Sequence, residues 1–137
     1  MKSGTLPIRR ALISVSEKHN LIDLANFLAG LGVDIVSTGG TAKYLKEEGL
    51  KVKEVSELTG FPEVLKGRVK TLHPKVHAPI LFDRGDASSA RELKKMGSEA
   101  IDLVIVNLYP FEDVLRNKAP QKDIIENIDI GGVALMR

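Results

Sequence analysis

Short apolar runs alternate with helical patterns along this chain. Residues 11–15, Ala-Leu-Ile-Ser-Val, predict a first strand, and leucine and alanine side chains then recur at helical spacing as far as Gly32. A glycine in that position is typical of the end of a helix. Asn20, with Asp23 three residues later, indicates where the helix starts. The first part of the chain therefore predicts a strand followed by a helix.

The same alternation continues through the rest of the chain. Residues 33–36 predict a second strand, which leads into a glycine turn and a short helix ending at Gly49. Residues 52–55 predict a weaker third strand, residues 87–96 a helix, and residues 101–106 the most apolar strand of the chain. Strands that alternate with helices are typical of a parallel sheet covered on both faces, so the fold class is predicted to be α/β.

Polar side chains follow three of the predicted strands. They occupy residues 14–18 after the first strand, 37–41 after the second and 107–110 after the fourth. Ligands of parallel sheets bind beyond the carboxyl ends of the strands, where such turns gather. Hydroxyls, a lysine, an amide and a phenol at one edge favour a small polar ligand that carries a phosphate.

The glycine turn is the centre of this predicted edge. Residues 37–43 read Ser-Thr-Gly-Gly-Thr-Ala-Lys, between a strand and a helix. Backbone N–H groups at the start of the helix, with the hydroxyls of Ser37, Thr38 and Thr41, could cradle a phosphate without a metal. A tight turn with a threonine N-cap explains the same residues, and the turn alone leaves both interpretations open.

Residues 61–77 lack a clear period and concentrate charged groups. They contain four cations, two histidines and one acid. A solvated basic loop is the ordinary interpretation of such a run. Apolar residues interleave with the cations, however, and predict a segment that packs down and fixes an arginine or lysine for work on a phosphate or a carbonyl. The interleaved apolar residues are Val64, Leu65, Val69, Leu72 and Val76.

The two histidines of this segment have a spacing that metal sites also use. His73 and His77 are four residues apart, but no acid lies between them. A zinc-binding pair of this spacing on a helix usually comes with a catalytic glutamate. We therefore expect no metal site.

Composition narrows the class of protein. With 137 residues, 43% of them hydrophobic and 28% charged, the chain is expected to form one globular domain. It contains no cysteine, which fits a reducing, cytoplasmic location, and it shows no membrane-spanning window or secretory signal. A net charge of +2 and 4% aromatic residues argue against binding to nucleic acid.

Several strings resemble the IMP cyclohydrolase domain of the bifunctional purine-biosynthesis enzyme that also carries AICAR transformylase. The resemblance runs nearly from end to end. A similar glycine turn occurs in methylglyoxal synthase and in the allosteric domain of carbamoyl phosphate synthetase, whereas the strings around residues 68–74 and 128–132 are more selective. The matching strings are residues 12–18, 37–41, 57–63, 67–74, 107–111 and 127–132.

The resemblance implies a fold and a reaction. The fold would be the methylglyoxal-synthase-like one, a Rossmann-like three-layer arrangement with a parallel central sheet. The reaction would close the ring of the formylated ribonucleotide FAICAR to give IMP and water, the last step of de novo purine synthesis. The carboxamide nitrogen attacks the formyl carbon, so neither a cofactor nor a metal is implied. A homodimer is also implied.

The resemblance further implies which residues form the site. Lys70, Tyr109 and Asp129 would be catalytic, with Asp129 as a proton acceptor or orienting group. The helix expected to begin at Gly131 allows Asp129 to be an N-cap instead. The substrate-binding residues would be Ser14, Ser16, Lys18, Thr38, Gly39, Gly40, Thr41, Arg68, Val69, Lys70, Thr71, Asn107 and Asp129.

The chain also departs from the family pattern at its end. Residues 133–136 resemble the apolar start of a helix, and the family continues beyond them with a further catalytic lysine. We therefore expect residues 1–137 to be a C-terminally incomplete cyclohydrolase domain, without the transformylase domain. The alternative is a non-catalytic regulatory module like the carbamoyl phosphate synthetase allosteric domain. A methylglyoxal synthase fits the basic segment and residues 107–109 less well.

Overall fold

The structure is a computed structural model that describes residues 4–136; residues 1–3 and Arg137, which belong to the expected domain span, lie outside the described residues. The described residues form one four-stranded sheet with the order β3-β2-β1-β4, and all three neighbouring pairs are parallel. The α/β fold with a parallel sheet is thereby confirmed. The strands are β1 Arg10–Ser14, β2 Asp34–Ser37, β3 Lys53–Glu54 and β4 Leu103–Val106.

Helices connect the strands and cover the sheet. Among residues 4–136, none of them combines the length and the apolar character needed to cross a bilayer. A short 3-10 turn, Leu65–Gly67, lies within the basic segment. The helices are α1 Leu21–Gly30, α2 Gly39–Glu47, α3 Val55–Thr59, α4 Pro74–Leu81, α5 Ala87–Lys95, α6 Phe111–Arg116, α7 Gln121–Glu126 and α8 Gly131–Leu135.

The core lies on both faces of the sheet. Ala11 and Ile13 of β1 belong to one buried cluster with side chains of α1 and α2, whereas Leu12 belongs to a second with Val76 of α4 and Leu135 of α8. Side chains alternate between the two faces of a strand, so an uninterrupted apolar run is what burial on both faces requires. This arrangement gives the three layers of the predicted fold.

Local details differ from the sequence predictions. The helix starts after Asn20 as predicted, but Asn20 has a left-handed backbone (φ 56°) and its side chain makes no capping hydrogen bond. The third strand has only two residues. The most apolar strand, β4, is half-buried because it is the last strand in the sheet order and has one neighbour, β1.

The basic segment packs less than predicted. Val76 is fully buried and Val64 half-buried, but Leu65, Val69 and Leu72 are 66%, 37% and 41% exposed. The prediction that all five apolar residues pack down is therefore wrong for these three. The reason is that the residues between these three apolar positions line a cleft, which leaves the apolar side chains on the outside.

Candidate functional site

A cleft of about 590 Å³ opens at the carboxyl ends of three strands. Ser14 ends β1, Thr38 directly follows β2, and Val106 ends β4, and all three line the cleft. Parallel strands bring their carboxyl ends to one edge of the sheet, which is the reason that residues distant in sequence meet here. The basic segment and the part of the chain from α7 to α8 form the rest of the wall.

Most residues predicted for the site line this cleft. Two do not: Gly39 lies against the side chains of Lys70 and Glu63, and Val69 is part of the exposed apolar set. The predicted residues that the cleft brings together are Ser14, Ser16, Lys18, Thr38, Gly40, Thr41, Arg68, Lys70, Thr71, Asn107, Tyr109 and Asp129.

The hydroxyls of the glycine turn have partners within the protein. Ser37 Oγ is buried and donates to Ile13 O at 2.6 Å, and Thr41 Oγ1 donates to Val15 O at 2.9 Å. Thr38 Oγ1 lies 3.0 Å from Ser14 Oγ. Both hydroxyls fasten the turn to the end of β1, so neither is free to serve as the additional phosphate donor that the sequence allowed.

The start of α2 remains available to an anion. Thr38 occupies the N-cap position with an extended backbone, as the threonine N-cap interpretation requires, but its side chain makes no capping hydrogen bond. The glycines form the first positions of the helix, and N–H groups in a first helical turn have no partner within the helix. Together with the partial positive charge of a helix start, they suit a phosphate.

Asn107 fixes the loop that follows β1. Its Oδ1 accepts from the backbone N–H of Ser16 at 2.7 Å, and its Nδ2 donates to Glu17 O at 2.9 Å. Lys18 Nζ lies 3.4 Å from Val15 O and 3.3 Å from Ser16 O, so its ammonium is turned back toward its own loop. Asn107 thus shapes the site by holding the loop after β1 against the end of β4.

Lys70 reaches the glycine turn. A methyl group added to Gly39 would come within 3.1 Å of Lys70 Nζ, so the missing side chain gives room for the ammonium. The carboxylate of Glu63 lies beside the same point, at 3.5 Å. Gly39 therefore acts by letting Lys70 approach.

A left-handed run precedes the arginine of the site. Leu65, Lys66 and Gly67 have φ values of 50°, 56° and 79°. This conformation is costly for residues other than glycine, at about 1–2 kcal/mol each. The run turns the chain so that Arg68 lines the cleft, where its guanidinium forms an ion pair with Glu126 at the end of α7.

Tyr109 and Asp129 share the far wall. Burial raises the pKa of Tyr109, and the carboxylates of Asp129, Glu63 and Glu126 raise it further. The phenol is therefore neutral at physiological pH and can donate a hydrogen bond. Asp129 Oδ1 accepts from the N–H of Gly132 at 2.7 Å. The N-cap position of α8 is nevertheless Ile130, so the interpretation of Asp129 as the N-cap residue is wrong by one position, although its side chain bonds the first turn of this helix and also lines the cleft.

Sequence reasoning missed part of the wall. Lys66 and Gly67 lie within the basic segment, and residues 128–132 within a string already singled out, so position in these strings could have found them. Ile125 and Glu126 carried no comparable signal, because α7 reaches the cleft only in the folded chain. The cleft residues not predicted are Val15, Lys66, Gly67, Val106, Ile125, Glu126, Ile128, Ile130, Gly131 and Gly132.

His73 has a local structural role. Its Nδ1 accepts the backbone N–H of Lys75 at 3.0 Å and so caps α4. In the part of the chain that the structure describes, no three histidine, aspartate or glutamate side chains lie close enough together to hold a metal ion. The histidine pair thus gives no support to a metal centre.

Residues 20–134 match the family model of the MGS-like domain. The chain belongs to this family. The MGS-like domain is 58% identical, over 132 residues, to the bifunctional purine biosynthesis protein PurH of Mesorhizobium japonicum, covering 96% of this chain and 24% of that protein. It is 57% identical over 128 residues to PurH of Aquifex aeolicus, covering 93% of this chain and 25% of that protein.

The MGS-like domain also matches a solved structure. The crystal structure of ForH superposes with a TM-score of 0.76 at 36% identity, covering 94% of this chain and 66% of that one. The similarity supports the fold described above. The domain spans about a quarter of the length of the PurH relatives.

Proposed function

We propose that this MGS-like domain is an IMP cyclohydrolase that closes FAICAR to IMP and water. The observation that carries the proposal is one cleft lined by Lys70, Tyr109, Asp129 and the glycine turn. A phosphate cradle beside groups that can move and stabilise protons is what this reaction needs. The identity of more than half of the aligned residues with PurH supports the same activity.

The phosphate of the nucleotide is proposed to bind at the start of α2. N–H groups of the first helical turn and the partial positive charge of the helix favour an anion there. Ser14 and Thr38 add hydroxyls at the same edge, and Arg68 adds a guanidinium from the opposite wall. The base then extends toward Tyr109 and Asp129.

The ring closure is proposed to use Tyr109 and Asp129 of the far wall together with Lys70 of the basic segment. The carboxamide nitrogen attacks the formyl carbon and loses a proton, which the carboxylate of Asp129 can accept. The formyl oxygen gains negative charge, which the ammonium of Lys70 stabilises while the neutral phenol of Tyr109 donates a hydrogen bond. The oxygen then leaves as water, taking the proton that Asp129 accepted and the proton that the formamide nitrogen loses as its C=N bond forms. Orientation contributes about 7 kcal/mol in favourable cases and each oxyanion donor about 3 kcal/mol.

We propose further properties on the resemblance and the composition. Residues 1–137 are taken as the cyclohydrolase region of a homodimer in the cytoplasm that needs no cofactor and binds no nucleic acid. The small net charge, +2, supports the last point.

The proposed activity predicts a specific effect of Lys70→Ala. Loss of one oxyanion donor lowers kcat for FAICAR by about 100-fold to 1,000-fold. Lys43→Ala is the matched control, since Lys43 lies on α2 outside the cleft with a side chain 77% exposed, and it should leave kcat unchanged. IMP formation is followed for this chain and for one extended through the family lysine.

Two outcomes would count against the proposal. Equal loss of activity in the Lys70 and Lys43 variants would remove Lys70 from the chemistry. Binding of IMP without turnover of FAICAR in both lengths of the chain would replace the enzyme with the regulatory module. Equal activity of the two lengths would mean that the family lysine is not needed.

A further inference from the structure

We propose that Glu126 is a positioning residue of this site, which holds the guanidinium of Arg68 at the cleft wall and ties α7 to the basic segment. The choice of IMP as the ligand in the experiment below rests on the proposed function, but the contact between Glu126 and Arg68 does not. Glu126 belongs to none of the sequence strings that indicated the site, so only the folded chain identifies it.

The ion pair joins two separate parts of the wall. Arg68 Nη2 contacts Glu126 Oε1 across 58 residues of sequence, and both side chains line the cleft. A second pair on this domain offers a contrast. Arg116 and Glu112 lie 3.1 Å apart on α6, one helical turn from each other and outside the cleft. The first pair can therefore shape the site, whereas the second supports only its own helix.

Arg68 needs such a partner because little else restrains it. Its side chain is 56% exposed and follows directly on the left-handed run that ends at Gly67. An arginine that is free to rotate loses rotamer freedom when a ligand binds, which weakens binding. The contact with Glu126 uses one of five N–H groups, so the remaining donors can meet an anion in a fixed position.

The negative charge of Glu126 acts in the opposite direction. Glu126 lies near Tyr109, with Glu63 and Asp129 as further carboxylates around that phenol. Repulsion of a phosphate by this carboxylate is reduced because the guanidinium of Arg68 compensates its charge, whereas the contact still fixes the direction of the arginine. We therefore expect the orientation of Arg68 to outweigh the repulsion of the phosphate. A glutamine at position 126 keeps an acceptor oxygen, so it should hold the arginine as the glutamate does.

The experiment compares Glu126→Ala, Glu126→Gln, Arg68→Ala and the double variant Glu126→Ala/Arg68→Ala. Glu126→Ala should raise the Kd for IMP and the KM for FAICAR about fivefold with kcat within about twofold, and Glu126→Gln should restore both. In the Arg68→Ala background the loss of Glu126 should change nothing further. Glu112→Ala is the matched control and should have the same Kd for IMP and the same KM and kcat for FAICAR as the unsubstituted chain.

Different results overturn the inference and the proposed function. Three results would overturn the positioning role. Glu126→Ala could bind IMP more tightly, or leave the Kd for IMP unchanged, or raise the Kd by the same factor when Arg68 is already alanine. Failure of the unsubstituted chain to bind IMP would overturn the function instead. Hydrogen exchange then tests the tie: amides of residues 66–70 should exchange several times faster in Glu126→Ala than in Glu112→Ala, and equal rates would overturn it.

Discussion

Gly39 and Gly40 are neighbours in the sequence but have different surroundings. Gly39 has a positive φ of 42°, and an added methyl group there would meet Lys70 Nζ at 3.1 Å. Gly40 has no heavy atom within 4 Å of the same added group and no positive φ. The sequence indicates a glycine turn, but it does not distinguish the two positions.

This difference predicts opposite effects of two alanine substitutions. Gly39→Ala should lower the free energy of unfolding by about 1–2 kcal/mol, because a left-handed backbone is costly for alanine. Gly40→Ala should be neutral or raise it by up to about 1 kcal/mol, since alanine favours helix. Urea unfolding measures both. Equal changes in the two variants would contradict the geometry described for the turn.

At the scale of elements, the basic segment combines a costly backbone with a direct role in the wall. Leu65 has a positive φ of 50°, and its side chain is 66% exposed. The strain is therefore not offset by burial of that side chain. The position of Arg68 after this run gives the strained backbone a use at the site.

A glycine at Leu65 should therefore stabilise the protein or leave it unchanged. Leu65→Gly relieves the left-handed conformation and should raise the free energy of unfolding by about 0–1 kcal/mol. Leu31 is the matched control, because it is 65% exposed but has an ordinary φ of −84°. Leu31→Gly should lower the free energy of unfolding by about 0.5–1 kcal/mol. Thermal or urea unfolding compares the two, and an equal loss would contradict a strained turn at Leu65.

The order of the strands shows where prediction from sequence stops at this scale. The apolar runs located all four strands, and their alternation with helices indicated parallel pairing. The runs did not indicate that the most apolar of them, β4, would be the strand after β1 in the order β3-β2-β1-β4. Burial of a strand depends on its neighbours in space, and local hydrophobicity does not record them.

For the molecule as a whole, the edge of the sheet opposite the cleft is held by a charge network. Asp102 Oδ2 accepts the backbone N–H groups of Arg9 and Arg10 at 2.8 and 3.1 Å, and Arg84 Nη1 lies 2.8 Å from Oδ1. Burial works to raise the pKa of Asp102, but these donors outweigh it, and the pKa lies below its ordinary value of 3.8. The carboxylate thus ties β1, β4 and the segment before α5 together.

This network predicts how stability changes with pH. A carboxyl with a lowered pKa stabilises the folded state fully above pH 3.8, and the contribution is lost as the pH falls through the lowered value. Asp102→Asn should lower the free energy of unfolding by about 2 kcal/mol at pH 7, since the side chain is only 5% exposed. The difference from the unsubstituted chain should shrink as the pH falls below 3.8.

Urea unfolding at several pH values provides the measurement. Asp113→Asn is the control, because Asp113 is an exposed residue of α6. It should change the free energy of unfolding by less than about 0.5 kcal/mol. A difference for Asp102→Asn that stays constant from pH 7 to pH 3 would show that the lost contacts do not depend on its charge.

The sequence by itself determined the α/β class, the parallel sheet and the turns that line the cleft. These follow from local patterns, since the period of apolar residues and the position of glycines depend on neighbours along the chain. It also supplied the resemblance from which Lys70, Tyr109 and Asp129 were predicted as a group.

The tertiary structure decided what those residues touch. Only the folded chain shows that the hydroxyls of Ser37 and Thr41 donate to the end of β1, that Asp129 bonds the first turn of α8 while lining the cleft, and that Glu126 contacts Arg68. Hydrogen bonds and ion pairs of this kind join residues far apart in sequence. Their partners depend on distances of a few ångströms, which sequence spacing does not specify.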